Sequence, residues 1–429
     1  MSLRRWSSCL ERRRALLWAQ HATSLVMDVC DFDSSGSTSS DSFSSSFESD
    51  SSSDDERMLV DSVEEALLVA TTILDDQEME IEEKTIRWRS KHDGGVMIED
   101  LTDDDAISHF RFRKPHLQEV ADKLWPRLRE YLAGSKTFIL FNNGNYSAPY
   151  ETLFLMLLFR FSRPRRIRKE MESFFCYRRS KISAGIRAMA DALYALSICY
   201  LDNPRIYHER MAYYAERVYA KCGLVQSVWG FIDGTLRKTC RPSFFQKLLY
   251  SGHKQAHGIK FQSVVLPDGL FACMFGPITG NRHDSYMLAK SQLIPKLRQF
   301  MPEGDVQQGW NANGEANDVF SLYGDAAYPQ STYLFGGYRN PQPGSPEARW
   351  NTEMSKVREV VEWGFCSIAS TWAFLDFRPS MRIFKSPIAK FNIIGAFLVN
   401  LRACFYGNQA MEYFDSDVLM LDEYLSLID

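Results

Sequence analysis

Two aspartates in this chain stand at the ends of apolar runs whose composition is typical of buried β-strands. VWGFID, residues 228–233, ends on Asp233, and VFSLYGD, residues 319–325, ends on Asp325. An aspartate in that position can bond the backbone amides of the turn that follows. It can also hold a metal ion or a proton where the sheet opens to solvent. Considered alone, the first run favours the turn-capping role.

A metal centre built on these residues needs a third acid. Mg²⁺ binds through oxygen ligands, and two-metal phosphoryl chemistry surrounds both ions with carboxylates. The helical segment EMSKVREVVEWGFCSIAS offers Glu359 and Glu362. Glu362 follows Arg358 by four residues and shares a helical face with it, so an ordinary surface ion pair between the two is an alternative.

Other candidate sites have weaker support. His253 and His257 have the i, i+4 spacing of zinc ligands on a helix, but they lie in a glycine-flanked loop, which favours DNA contact or packing. Asp284, in GNRHDSYML after His283, stands before a predicted helix and is either its N-cap or part of a site. The sequence contains no P-loop, dinucleotide-binding glycine pattern or G-x-S-x-G elbow.

Cysteine usage excludes two further classes of site. The nine cysteines are scattered singly, without a C-x-x-C pair, and their number is odd. This pattern indicates reduced thiols in an intracellular compartment, with neither a zinc ribbon nor a disulfide framework.

The elements that must position the acids alternate between strand and helix patterns. IKFQSVVLP and LFACMFGPI are β-rich runs joined by PDG at 267–269, which predicts a hairpin. Residues 285–301 have helical spacing, 309–318 have a loop composition, and a further helix covers roughly 352–370. The segment SPIAKFNIIGAFLVNLRACFYG predicts a last helix. These elements together predict an α/β fold with a mixed sheet and flanking helices.

The region before the strands is mostly helical and basic. HLQEVADKLWPRLREYLA and YETLFLMLLFRFS are helical on either side of the break NNGN. A helix over 165–175, a turn near CYRR and a second helix capped by Ser180 make a helix-turn-helix outline, although a helical bundle with a basic face would have the same pattern. The predicted DNA contacts are Arg165, Arg166, Arg168, Arg178, Arg179, Lys181 and Arg187.

Charge is unevenly distributed along the chain. Residues 28–105 contain 24 Asp and Glu against 5 Lys and Arg, whereas residues 106–429 carry a net charge of +11. The Ser- and acid-rich stretch 34–56 has almost no large aliphatic residues to offset its ordering entropy, so we expect a disordered acidic tail. An acidic arm joined to a basic body is typical of nucleic-acid-binding proteins, although a solvated, mildly basic surface would also fit.

Targeting and membrane signals are limited. No uninterrupted apolar run reaches the roughly 18 residues of a membrane span, so we expect no membrane association. The N-terminus, MSLRRWSSCLERRRALLWAQ, is arginine-rich and lacks the apolar core of a secretory signal. A nuclear address, a mitochondrial presequence and a solvated basic helix all fit this segment.

Five motifs occur in an order that resembles the DDE endonucleases of the PIF/Harbinger transposase superfamily. They are FIDGT, YSGHKQAHGIKFQSVV, GPITGNRHDSYML, YGDAAYP, and VREVVEWGF with a later FLVNLRA. The resemblance covers residues 224–405 closely and 106–201 more loosely. It implies a ribonuclease-H-like sheet in which three acids hold Mg²⁺ or Mn²⁺, with two ions expected.

By this resemblance, Asp233 corresponds to the first acid and Asp325 to the second, and the R-x-x-V-E register selects Glu362 as the third. Asp284 matches the family's His-Asp-Ser motif, and His283 and His257 are candidate accessory residues. The sequence departs from the family where a Ser-Gly or similar pair is often found. Here Ala326 and Ala327 follow the second acid, a change that can alter the turn without removing the ligand.

The resemblance implies a metal-dependent DNA endonuclease or transposase that cleaves phosphodiester bonds in the nucleus. DNA is the expected partner, a separately encoded Myb-like DNA-binding protein is a second one, and a homo-oligomer is compatible. The alternative is a domesticated, non-catalytic DNA-binding or scaffold protein.

We predict four segments in the chain. They are a largely disordered Ser/acid-rich region over 1–105, a helix-turn-helix-like region over 106–215, a ribonuclease-H-like nuclease domain over 216–412 and a C-terminal tail over 413–429.

Overall fold

The computed structural model describes most of the chain after the acidic tail. The described residues are 96–134, 148–164, 168–301, 320–383 and 385–429. The predicted disordered stretch, the NNGN break and the predicted loop over 309–318 lie outside them.

Six strands in this part of the chain form one mixed sheet. They are β1 (Val228–Lys238), β2 (Tyr250–Ser251), β3 (Ala256–Val265), β4 (Phe271–Thr279), β5 (Ser321–Gly324) and β6 (Leu334–Gly336). The order is β4-β3-β1-β5-β6, and the short β2 pairs with the start of β3. β3 is antiparallel to β1 and β4, while β1, β5 and β6 run parallel. This arrangement is compatible with a ribonuclease-H-like fold.

The carboxyl ends of four strands meet at one edge of this sheet. β4 points the same way as β1, β5 and β6, because β3 is antiparallel to both β4 and β1. In the parallel pair β1–β5, Phe231 is the partner of Tyr323, so Asp233 and Asp325 each follow that pair by two residues. The carboxyl edge of a sheet is where open α/β proteins bind ligands. Strand register therefore brings Asp233 beside Asp325 where β5 ends, while β1 itself continues to Lys238.

Helices pack around the sheet and account for most of the remaining described residues. They are α1 (Asp103–Asp105), α2 (Lys114–Gly134), α3 (Tyr150–Ser162), α4 (Arg168–Phe175), α5 (Arg179–Leu201), α6 (Met211–Cys222), α7 (Gln246–Leu249), α8 (Asp284–Ser291), α9 (Leu293–Arg298), α10 (Pro346–Thr371), α11 (Ala373–Asp376), α12 (Ile388–Tyr406), α13 (Gln409–Phe414) and α14 (Leu421–Ser426). Short 3₁₀ or π turns lie at Ile98–Asp100, Ala106–Phe110, Pro204–Arg210 and Arg378–Ser380.

The most deeply buried helix is α12, which packs on α5, α10 and β4. By length and composition alone, α5 and α12 could each span a membrane. The absence of a long uninterrupted apolar run in the sequence did not predict these two candidates. Half of the apolar window of α5 and 89% of that of α12 are buried inside the protein. A helix that is apolar on all sides is also what the core of a large protein contains.

Helix boundaries differ from the sequence expectations in three places. The helix predicted over 285–301 breaks at Gln292, whose φ is 54°, because Pro295 cannot donate the backbone hydrogen bond that a continuous helix needs. α10 begins at Pro346, earlier than predicted, where the Ser345 hydroxyl accepts a hydrogen bond from Ala348 N at 3.2 Å. α5 has Arg178 at its N-cap without a side-chain cap, so the predicted cap at Ser180 is wrong.

The predicted helix-turn-helix segment consists of α4 and α5, joined by three residues. α5 packs against α3, α12 and α2 and buries about half of its length in the core. The start of α5 is exposed, and the rest of the helix packs against its neighbours in the core. A DNA-binding role for this pair stays a prediction.

Candidate active site

Asp233 lies within β1, at the point where the strand leaves the core. Its Oδ1 accepts a hydrogen bond from Gly234 N at 2.8 Å, and its Oδ2 lies 3.3 Å from the Arg358 guanidinium. Burial raises the pKa of Asp233 to about 6, and Arg358 offsets only part of that effect. The carboxylates of Asp325 and Asp284 raise this pKa further. Asp233 is therefore a largely buried carboxyl group with one cation and two further carboxylates near it.

Asp325 directly follows β5, beside Asp233 on the neighbouring strand. Its Oδ1 accepts a hydrogen bond from Ala327 N at 2.9 Å, which is the turn-forming contact expected of an aspartate at a strand end. The Asp325 carboxylate is near enough to Asp233 to raise the pKa of that residue. The change to Ala326 and Ala327 preserves this turn, because the amide of Ala327 is its donor.

Asp284 is the third carboxylate near Asp233. It is the first residue of α8 and follows His283, which occupies the N-cap position without a side-chain cap bond. The N-capping alternative for Asp284 is therefore wrong. Its Oδ1 instead accepts a hydrogen bond from Lys260 Nζ at 3.0 Å, and a Cβ added at Gly234 would lie 2.8 Å from the same oxygen. The absence of a side chain at Gly234 thus lets Asp284 lie against β1, one residue from Asp233.

α10 carries both Arg358 and Glu362, and Arg358 contacts β1 through Asp233. Arg358 pairs with Asp233 and not with Glu362. The surface ion pair between Arg358 and Glu362 that their spacing allowed therefore does not form. Glu362 is exposed one turn further along the helix. Within the described ranges, no group of three or more His, Cys, Asp or Glu side chains is close enough to hold a metal ion. The acids still influence the pKa of Asp233, because electrostatic interactions act over longer distances than metal–ligand bonds.

Two of the candidate histidines, His253 and His257, lie away from this group of acids, whereas His283 directly precedes Asp284. His257 is on β3, where its ring contacts Tyr250 edge-on at a centroid distance of 5.2 Å. Burial lowers the pKa of His257, and the cations Arg241 and Arg378 lower it further. His253 is exposed in the preceding turn, and no three-residue metal group includes either histidine in the part of the chain that is described.

The predicted DNA-contacting residues have different surroundings. Arg178 and Arg179 are exposed at the start of α5, and Arg187 is half-buried. Lys181 is buried, with its ammonium 5.4 Å from the centre of the Tyr177 ring, and burial lowers the pKa of Lys181. Arg165 and Arg166 lie outside the described residues, as does the side chain of Arg168.

The structure adds Tyr328 to the group, a residue that sequence reasoning missed. Its side chain is 1% exposed, and within the described structure its hydroxyl has no hydrogen-bond partner. Burial raises the pKa of Tyr328 well above its usual value, and the carboxylates of Asp284, Asp233 and Asp325 raise it further. The available signal was its position in YGDAAYP, three residues after Asp325. Tyr328 is therefore a protonated donor beside three acids.

The chemistry of this donor set fits a hard divalent cation. Carboxylate oxygens are the ligands that Mg²⁺ and Mn²⁺ prefer, and the acidic groups that raise the pKa of Asp233 are the carboxylates of Asp325 and Asp284. The space at Gly234 admits a carboxylate against the backbone, and the Tyr328 hydroxyl is left without a partner in the described structure. A bound cation would favour the charged form of Asp233, which burial and the neighbouring carboxylates disfavour.

Comparison with known proteins identifies this same part of the chain. Residues 232–400 match the family model described as DDE superfamily endonuclease, and all four acids named above lie within the match. No curated protein and no solved structure was found to match the chain. The match supports a DDE endonuclease domain of the kind found in transposases.

Proposed function

We propose, from the DDE endonuclease match over residues 232–400, that this protein is a divalent-metal-dependent DNA endonuclease of the PIF/Harbinger transposase type. The observation that supports this most directly is the pairing of Asp233 and Asp325. They follow the paired residues Phe231 and Tyr323 of adjacent parallel strands, and burial raises the pKa of Asp233 to about 6, with a smaller contribution from Asp325. Acids held in this way are typical of sites that bind cations.

Asp233, Asp325 and Glu362 are the residues that would hold the metal. When bound, two Mg²⁺ or Mn²⁺ ions would supply Lewis acidity and neutralise the charge that develops on the scissile phosphate. Glu362 would reach the site from α10 by its flexible side chain, since Arg358 on the same face already touches Asp233. Lys260 holds Asp284 in place at 3.0 Å, beside β1.

The basic body of the chain would supply affinity for DNA that does not depend on its sequence. Residues 106–429 carry a net charge of +11, and cations neutralising phosphates release the counterions bound to DNA. We further propose a nuclear location, a Myb-like DNA-binding partner and assembly into a homo-oligomer, all of which rest on the resemblance to the PIF/Harbinger group.

A nicking assay on supercoiled plasmid tests the proposal. The full-length protein should nick DNA with Mg²⁺ or Mn²⁺ and not with EDTA. Asp233→Asn should reduce nicking to background while leaving DNA affinity intact, because it removes a metal ligand and not a phosphate contact. Asp417→Asn, at an exposed position late in the chain, is the matched control. Undiminished nicking by Asp233→Asn would exclude the assignment.

A second pair of variants tests which glutamate of α10 completes the site. Glu362 and Glu359 are both exposed and lie less than one helical turn apart. Glu362→Gln should abolish nicking and Glu359→Gln should retain it. The reverse result would transfer the role to Glu359. If Mn²⁺ binds none of these proteins, the alternative of a domesticated, non-catalytic DNA-binding protein is correct.

A further inference from the structure

The connection between β1 and β3 forms an extension beyond the acids. We call residues 234–262 the β1–β3 arm; it contains the end of β1, α7, β2 and most of β3. The two long strands stay paired from Gly234 with Gln262 to Lys238 with Gly258. Because β1 continues five residues past Asp233, the arm extends from the sheet edge where the acids lie.

Two aromatic side chains on the arm are open to solvent. Phe244 is 70% exposed and Tyr250 is 41% exposed, although both are large apolar groups. Tyr250 packs edge-on against His257 and is still 41% exposed. Isolated exposed aromatics are common, but two on one short connection form a surface that a planar ligand could cover.

The charge on the arm has one sign. Residues 234–262 contain six Lys and Arg and no Asp or Glu. Lys238, Arg241, Lys247 and Lys254 are exposed. A surface that alternates cations with open aromatic rings is suited to a nucleic-acid strand, because phosphates meet the cations while bases stack on the rings. A second copy of the same arm would meet it with like charge.

Contacts connect the arm to the acids. Lys260 on β3 binds Asp284 at 3.0 Å, and Leu248 O in α7 accepts a hydrogen bond from Asn281 N at 3.1 Å. Asn281 lies three residues before Asp284. The arm therefore rests on the segment that leads into the acidic site, and a strand bound on the arm would continue towards Asp233.

We propose that the β1–β3 arm binds single-stranded DNA next to the cleavage point, with Phe244 and Tyr250 stacking on unpaired bases. The proposal rests on the proposed nuclease function and adds the form of the substrate. In an intact duplex the faces of the bases are covered by their neighbours, so the rings could contribute only at an opened or unpaired segment. The exposed lysines of the arm would contact the adjoining phosphates.

Binding measurements in EDTA test this without requiring cleavage. Fluorescence anisotropy of the full-length protein would be recorded with a labelled single-stranded oligonucleotide and with a duplex of the same sequence. Phe244→Ala should weaken single-strand binding by about tenfold, the loss expected for one base–aromatic stack, and should change duplex binding little. Tyr250→Ala should act in the same direction. Met420→Ala, at a residue 63% exposed before α14, is the control.

The outcomes separate this proposal from the proposed function. Single-strand binding by Phe244→Ala and Tyr250→Ala equal to that of the unmodified protein would overturn the stacking role. An equal loss on both kinds of DNA would also overturn it, because phosphate contact alone would then explain the arm. Metal-dependent nicking that persists in either case would leave the nuclease proposal standing. Unchanged melting temperatures would show that the variants fold.

Discussion

Asp233 illustrates which local effect dominates at the candidate site. A guanidinium at 3.3 Å lowers the pKa of a carboxyl group, yet the pKa of Asp233 is raised to about 6. Burial, with two neighbouring carboxylates, therefore outweighs the ion pair. Among the described residues Arg358 forms the ion pair with Asp233, and a metal bound by this carboxylate would compete with that guanidinium.

Replacing Arg358 should separate metal affinity from metal-free stability. Arg358→Gln leaves a largely buried carboxylate unpaired, so we expect the metal-free protein to lose about 1–3 kcal/mol of unfolding free energy. At pH 8 Mn²⁺ should bind more tightly, because a competing cation is gone. Denaturant unfolding and Mn²⁺ titration measure the two effects. Arg349→Gln, exposed on the same helix, should change neither, and weaker Mn²⁺ binding by Arg358→Gln would contradict the prediction.

Tyr328 should matter to the site and not to the stability of the fold. Its buried hydroxyl has no partner within the described residues, so Tyr328→Phe removes an unsatisfied polar group and should leave the melting temperature unchanged or higher. We expect metal-dependent nicking to fall by about tenfold, because the hydroxyl is a buried neutral donor without a partner in the described structure and is close enough to the three aspartates for their charges to raise its pKa. Full nicking activity in Tyr328→Phe would show that the hydroxyl does not contribute to cleavage.

At the scale of elements, the β3–β4 hairpin is tied to α6 by a buried carboxylate. Asp268, in the hairpin turn, accepts a hydrogen bond from the Tyr214 hydroxyl at 2.7 Å, and Arg210 Nε donates to the same hydroxyl at 3.0 Å. Burial raises the pKa of Asp268 to about 6, and the bond from Tyr214 limits the rise. This network holds the far end of β4, opposite the edge that carries the acids.

Removing the Tyr214 hydroxyl should give a pH-dependent loss of stability. The pKa of Asp268 is higher folded than unfolded, so its contribution to stability is greatest below pH 4 and falls as the pH rises towards 6. Tyr214→Phe should cost about 1.5–3 kcal/mol at pH 8, where the carboxylate is charged, and less at pH 5. Denaturant unfolding at both values measures this. Tyr219→Phe, exposed on the same helix, is the control, and equal losses at both pH values would contradict the argument.

At the scale of the whole molecule, an acidic segment precedes a basic body. Residues 28–105 hold 24 acidic and 5 basic residues, but the structure shows that the last of them are packed. Ile98 is fully buried, and Val96 O accepts a hydrogen bond from the Thr152 hydroxyl at 3.0 Å. A deletion that tests the acidic segment should therefore stop before Val96.

We expect deletion of residues 28–90 to tighten DNA binding, because the acidic segment competes with phosphates for the basic body. The gain should be several-fold at low salt and should shrink as salt screens the charges. Replacing the segment with an uncharged Gly/Ser linker of the same length should give the same gain if charge is responsible. Affinity that is equal with and without the segment would rule out this competition.

The sequence by itself determined most strand and helix patterns, the hairpin at PDG, and Asp325 at a strand end. These features follow from local composition and periodicity, which act within a few residues. The expectation that a strand ends at Asp233 was wrong, because β1 stays paired with β3 as far as Lys238. The motif order that led to the DDE resemblance was also readable, and the family match over residues 232–400 supports it.

The tertiary structure alone decided which side chains meet. Asp284 lies against Gly234, fifty residues earlier, because β4 and β1 deliver their carboxyl ends to one edge. Arg358 contacts Asp233 in preference to Glu362, and Lys181 is buried, because helix docking sets which face is covered. Spacing along the chain limits which partners a residue can have within its own helix or strand. Contacts between segments far apart in sequence depend on sheet register and helix packing, so only the tertiary structure determines them.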